Sequence, residues 1–375
     1  MLNSIHPSRR GFLRWTANAV AGSLVSGRLL AEEPAETPNI NTRLSEAARD
    51  APLAMRFEGT TAEECRAWQQ RFGAKLREML GPFQPPRSWK TIVQSKVELE
   101  DHTRQELLLV AEGHPVLPVD LLVPPAKSAL RRAGIVALHG HGAHGHHPIA
   151  GRDELPGVAD AIRNNRYDYG RQLVRRGYVV ACPCLTPFGV RLGNPERFAK
   201  ADPCGDTFIR MQMLGKLLIA ENLRDALWAL ELLAQIDEVD ADRLGCVGLS
   251  YGGRMTMLTA AVEPRIKAAV ISGALNVMQE RISKPYSCGA QIIPGLLNYG
   301  DTPEIGALIA PRYAVWEAGN RDGLVKAPWS EDALKRIGRA YQALGAGDRL
   351  QVDRFDGGHQ WHGEVAYPLL EKALA

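Results

Sequence analysis

The chain has 375 residues, of which 45% are hydrophobic and 23% charged, with a formal net charge of +3 at pH 7. That is apolar material enough for a sizeable core, and the length permits one large domain or two. The small charge and the lack of a long basic run give no expectation of a nucleic-acid partner, and no apolar stretch reaches the roughly 18 residues of a membrane span.

Residues 1–31 read as a targeting segment. Ser8-Arg9-Arg10-Gly11-Phe12-Leu13-Arg14 is a twin-arginine pattern, followed by a mildly apolar stretch from Trp15 to Gly27 and then Leu29-Leu30-Ala31. This resembles a Tat export signal, which makes the Tat export machinery an expected partner and a periplasmic or extracellular location the expectation. The competing reading is an amphipathic N-terminal helix with a chance arginine pair. Six cysteines, Cys65, Cys182, Cys184, Cys204, Cys246 and Cys288, could pair in an exported protein. Buried free thiols fit the pattern equally well.

Residues 32–41 are polar and proline-bearing, as in a linker. Cys65, Trp68, Phe72, Leu76 and Leu80 recur at helical spacing, with Thr60 or Thr61 as cap and Gly81-Pro82 as stop. A linker and N-terminal helical extension over 32–90, then a catalytic domain over 91–375, is the expected division. From Thr91 the pattern changes to strands: 91–99, 105–111, 118–123, 134–139, 178–181, 244–248, 268–271, 313–317 and 351–355. Helices are expected over 167–176, over 208–233 as one or two, and after Ser250. Short apolar runs alternating with helices predict an α/β fold: a mostly parallel central sheet with helices on both faces.

Gly248-Leu249-Ser250-Tyr251-Gly252-Gly253 fits G-x-S-x-G, between an apolar strand and a helix-forming run. Such an elbow holds a serine at a helix N-terminus, and small residues at Gly248 and Gly252 let neighbouring backbone close in. Ser250 is the expected nucleophile, and the Tyr251 N–H an expected oxyanion donor. A serine needs a base, and the fold's order is serine, acid, histidine. His359, in Gly357-Gly358-His359-Gln360-Trp361, follows the last strand, with His362 as nearest competitor. Asp322, in Gly319-Asn320-Arg321-Asp322-Gly323, is the expected acid, with Glu317 as alternative; Asp301 reads as a helix cap. His139 to His147 carry five of the ten histidines. A metal site and an oxyanion loop both fit. The loop reading is preferred, with a backbone N–H from His141 or Gly142, because no carboxylate partner is evident.

The run from Asp240 to Gly253, with His139-Gly140-His141-Gly142, Asp322 and Gly358-His359, resembles the α/β-hydrolases of the dienelactone-hydrolase-like and acetyl-xylan-esterase-like kinds. Cys288 to Leu297, then Tyr299-Gly300-Asp301, is similar to the acetyl xylan esterase group of exported bacterial hydrolases. The resemblance spans about residues 60–372. It implies an α/β-hydrolase fold, ester hydrolysis through Ser250, His359 and Asp322, a small-molecule or carbohydrate ester as substrate, and neither metal nor organic cofactor. A dienelactone hydrolase proper uses cysteine where this chain has Ser250, which favours ordinary esters. The rival readings are a serine peptidase of the prolyl-oligopeptidase type and a non-catalytic or histidine-rich metal-binding protein on the same fold. About a hundred residues ahead of Gly134 are too few for a propeller.

Overall fold

The computed structural model describes residues 39–125, 131–193, 202–282 and 288–375. The twin-arginine segment lies outside the described residues. Ile40–Ala375 forms one compact unit.

Nine strands form a single sheet in the order β1-β2-β3-β5-β4-β6-β7-β8-β9. They are β1 (Lys90–Glu98), β2 (Thr103–Val110), β3 (Leu117–Val123), β4 (Arg132–Leu138), β5 (Val179–Pro183), β6 (Val239–Leu249), β7 (Ile266–Ser272), β8 (Tyr313–Gly319) and β9 (Leu350–Phe355). The first three are antiparallel neighbours, and β3 joins β5 antiparallel. From β5 through β9 every pairing is parallel. This is the expected α/β-hydrolase architecture, and the strands ahead of Gly134 extend the same sheet rather than building a propeller.

The apolar runs are continuous because both faces of the parallel strands are covered. In β4, Val136 and Leu138 enter the core on one face and Ile135 and Ala137 the core on the other; β7 divides Ala269 and Ile271 from Ala268 and Val270 in the same way. The first face is packed by the helices Ala62–Leu80, Leu218–Ala234, Tyr251–Val262 and Trp329–Ala343. The second carries Tyr169–Arg175 and Ala366–Ala373.

The helix Ala62–Leu80 belongs to this core, with Cys65, Trp68, Phe72 and Leu76 buried in it. Thr61 caps it, exchanging bonds with Glu64 in a capping box, and Gly81 ends it with φ 69°. The span expected to be one helix or two over 208–233 is two, Pro203–Met213 and Leu218–Ala234. Patterning missed the short helices Ile40–Arg49 and Val158–Asn165 and the helix Trp329–Ala343. The last helix begins at Ala366, and His362 lies ahead of it.

Candidate active site

Four strand ends supply the site. At the end of β6 the chain turns at once into the helix Tyr251–Val262, and Ser250 sits on the turn at φ 63°, ψ −121°. Among the described residues, Leu53 and Arg166 are the other non-glycine positions with positive φ. A serine held there is strained, and its surroundings fix it. A Cβ on Gly252 would stand 1.8 Å from the Leu138 carbonyl oxygen, and one on Gly248 would stand 2.4 Å from the Gly252 carbonyl. Both elbow glycines are therefore demanded by backbone contact. The Tyr251 N–H, at the first helical position, has no intrahelical acceptor and is available to an anion. The Tyr251 side chain is buried, taking a bond from Asn222 Nδ2 at 2.7 Å and donating to the Ala290 carbonyl at 3.1 Å.

Asp322 follows β8 and His359 follows β9. His359 Nδ1 lies 2.7 Å from Asp322 Oδ2, while the other carboxylate oxygen accepts the Leu324 N–H at 2.8 Å. The carboxylate is buried and the imidazole side chain is 27% exposed. Its Nε2 has no hydrogen-bond partner. The two loops are sewn together: the Asn320 N–H donates to the Phe355 carbonyl and the Arg321 N–H to the Gly357 carbonyl. A Cβ on Gly319 would come within 2.3 Å of Gly357 O, so that position must be glycine for the acid loop to lie on the base loop. Gly273, at the end of β7 with φ 59°, leaves room for the His359 ring, whose Cε1 would be 2.7 Å from a Cβ there.

Ser250, Tyr251, His141 and His359 line one pocket of about 740 Å³, together with Arg254, Arg281, Cys288, Gln291 and Lys326. A cavity of about 880 Å³ lies at the strands' other ends, lined by Arg132 and Arg243 among others, and holds neither the serine nor the histidine. Arg254 is buried and bonded to Thr302 and Asn276, and burial draws its guanidinium down to about 10. The competing acids are placed elsewhere. Glu317 is buried under the base loop, accepting the Gly363 N–H at 2.8 Å, and burial raises its carboxyl to about 7. Asp301 caps the helix Thr302–Ala307.

The histidine-rich loop divides into three roles. His139 is fully buried; its Nε2 accepts the Leu185 N–H at 2.8 Å, so its Nδ1 carries the proton and donates to Gly140 O at 2.7 Å. Burial lowers its pKa to about 3 and keeps it neutral. His141 reaches the pocket, where its Nε2 stands 2.8 Å from Cys288 Sγ. His146 and His147 turn inward to Asp120 on β3, at 3.6 and 3.3 Å. A carboxylate partner for the loop therefore exists, contrary to expectation; a strand 27 residues upstream gave no local signal of it. Burial pushes the Asp120 carboxyl up, but His146, His147 and Arg152 together hold it below the usual range.

The N–H groups of His141 and Gly142 bond no other backbone group, while that of Gly140 is taken by the Tyr167 hydroxyl. Gly142 does not line the pocket, and a Cβ there would meet nothing. Gly140 is the glycine the loop requires, since a Cβ on it would stand 2.9 Å from Ser250 Cβ. Sequence reasoning passed over that residue. All six cysteines are buried and none is bridged. Cys204 and Cys288 are hydrogen-bonded neighbours, an interaction that lowers the Cys288 thiol and raises that of Cys204. Arg191 is held by Asp225 and the Cys184 carbonyl and does not reach the pocket.

A strained serine on a strand–helix turn, at the strand ends of a mostly parallel sheet and sharing a pocket with an Asp–His pair, defines an α/β-hydrolase. Within that class, residues 153–291 match the dienelactone hydrolase family, a span that holds Ser250 and stops short of Asp322 and His359. The chain is 29% identical over 266 residues to the Bacillus subtilis (strain 168) protein named "Putative hydrolase YtaP", covering 70% of this chain and 84% of that one. Among solved structures it is similar to a "putative acetyl xylan esterase" from Bacteroides fragilis, with TM-score 0.73, 17% identity, and 88% and 94% of the two chains covered. It is also similar to a glucuronoyl esterase from Teredinibacter turnerae, with TM-score 0.60, 18% identity, and 88% and 90% covered. At those identities the likeness is one of fold.

Proposed function

We propose that the chain is a serine hydrolase of carboxylic esters working through an acyl-enzyme. The observation that carries this reading is the pocket shared by Ser250, at φ 63°, and His359, whose Nδ1 is bonded to Asp322 and whose Nε2 is unengaged. Ser250 Oγ attacks the ester carbonyl while His359 Nε2 takes its proton. Asp322 holds the ring in the tautomer that presents Nε2 and stabilises the imidazolium. The N–H groups of Tyr251 and His141 receive the oxyanion. His359 then protonates the leaving alcohol, and water releases the acyl group with the same roles reversed.

The acetyl xylan and glucuronoyl esterases of like fold support a carbohydrate ester as substrate. The pocket wall carries Arg254, Arg281 and Lys326, and no carboxylate among the described lining residues, so esters of acidic sugars belong in the same screen as acetylated ones. The twin-arginine segment supports export to the periplasm or beyond. The test is hydrolysis of p-nitrophenyl acetate and longer acyl esters beside Ser250→Ala. Loss of turnover in the variant, with rates falling as the acyl chain lengthens, is the expected result. Equal turnover by both proteins would sink the serine mechanism.

A further inference from the structure

His141 and Cys288 line the pocket beside Ser250, and Cys204 completes a trio whose ligating atoms all lie within 4.8 Å of one another. We propose that His141, Cys204 and Cys288 form a binding site for one thiophilic cation, with Zn²⁺ the expected occupant, in the wall of the hydrolase pocket. Two sulfurs and one imidazole nitrogen are the donors that select zinc or cuprous ion over magnesium or calcium. Zinc–sulfur and zinc–nitrogen bonds of about 2.3 and 2.0 Å would set tetrahedral ligand atoms roughly 3.5–3.8 Å apart, a spacing this trio meets with a small outward movement of His141. His141 is exposed, and Gly142 beside it has open space around it, so the ring can make that movement. Three protein ligands leave a fourth position open, as in zinc sites that bind exogenous groups.

Three separate segments converge to make the trio: the loop after β4, the start of the helix Pro203–Met213, and the turn at Cys288. The approach depends on Gly289, where a Cβ would stand 2.7 Å from Phe208 Cβ and 2.9 Å from the Cys204 carbonyl oxygen. The other cysteines are isolated by comparison. Cys65 faces the Ala340 carbonyl, Cys246 faces Thr256, Cys184 faces the Phe188 carbonyl, and Cys182 is buried in the apolar core. The second histidine group, Asp120 with His146 and His147, is the weaker candidate, because Arg152 stands 3.9 Å from Asp120 and already supplies positive charge.

The site does not depend on ester hydrolysis, and its test reads the metal. The full chain, purified reduced and metal-free, is titrated with Zn²⁺ against a chromophoric chelator and with Co²⁺ for thiolate-to-metal charge-transfer absorption. One equivalent per chain, with the thiolate band, is expected, and Ser250→Ala should bind equally well. Affinity should fall by at least about tenfold in Cys288→Ser and in His141→Asn, the latter an exposed position whose replacement leaves the core intact. The proposal is overturned by the absence of stoichiometric binding, by a Cys204–Cys288 disulfide in the protein as isolated, or by binding that survives His141→Asn and disappears in His147→Asn.

Discussion

Two aspartate–histidine pairs, their histidines three residues apart, stand at the C-terminal end of the sheet. His359 Nδ1 meets Asp322 at 2.7 Å, and His362 Nδ1 meets Asp353 at 2.8 Å. As hydrogen bonds they are equivalent; their surroundings are not. The His362 ring lies stacked on Phe355 with centroids 4.3 Å apart, and its Nε2 leans toward Glu364 at 3.5 Å. The His359 ring lies in the serine's pocket, its Nε2 unengaged. An Asp–His bond therefore does not define a catalytic pair. We assign that role to the His359 pair because its second nitrogen is unengaged and the ring lies in the serine's pocket.

The sharpest way to break this comparison is to remove each imidazole in turn. His359→Ala should lower kcat/KM for a small acyl ester by roughly 10⁴-fold or more, as losses of a triad base do, while His362→Ala should stay within about threefold. Comparable losses from both would erase the distinction. The acids sharpen it. Asp322→Asn should cost about 10²–10⁴ in kcat through the wrong ring tautomer. Asp353→Asn should leave kcat nearly alone and lower stability by about 1–2 kcal/mol, read from the urea midpoint.

Glu317, beneath both pairs, gives a prediction in pH. Its carboxyl is raised to about 7 by burial from an ordinary 4.5, so the folded state holds the proton more tightly than the unfolded one. Its contribution is complete below about pH 4.5 and is lost as pH climbs through about 7. The loss should reach about 3 kcal/mol. Glu317→Gln should flatten the fall in thermal midpoint between pH 5 and pH 8; an unchanged slope would show that another group carries it.

What the sequence made legible follows a physical divide. The parallel strands were readable because strands covered on both faces are apolar throughout, Gly248 and Gly252 because backbone contacts leave no room for a Cβ, and Ser250 because it stands between them in G-x-S-x-G. Thr60 or Thr61 announced the helix through local capping chemistry, and in the structure the box is Thr61 with Glu64. Long-range pairings were not readable. Asp120 meets His146 and His147 from β3, and Cys204 meets Cys288, 84 positions further along the chain; neither has a periodicity to betray it. The helix Trp329–Ala343 was missed although its buried Ala333, Ile337, Ala340 and Tyr341 fall at helical spacing, since exposed charges on its outer face dilute a stripe built partly of alanine. Gly140 was passed over in favour of Gly142 because a glycine's necessity depends on what packs against it, and the closeness of Ser250 and Tyr167 is a tertiary fact.

The stitching of the acid loop to the base loop has a consequence for recombination. Gly319 lies under the carbonyls of Gly357 and Gly358, two backbone bonds join the loops, and Asp322 grips His359 across 37 residues. The segment from Tyr313 to Gly363 is therefore a single exchangeable cassette. Chimeras with a relative should keep turnover when crossovers fall outside it and lose turnover when one falls within.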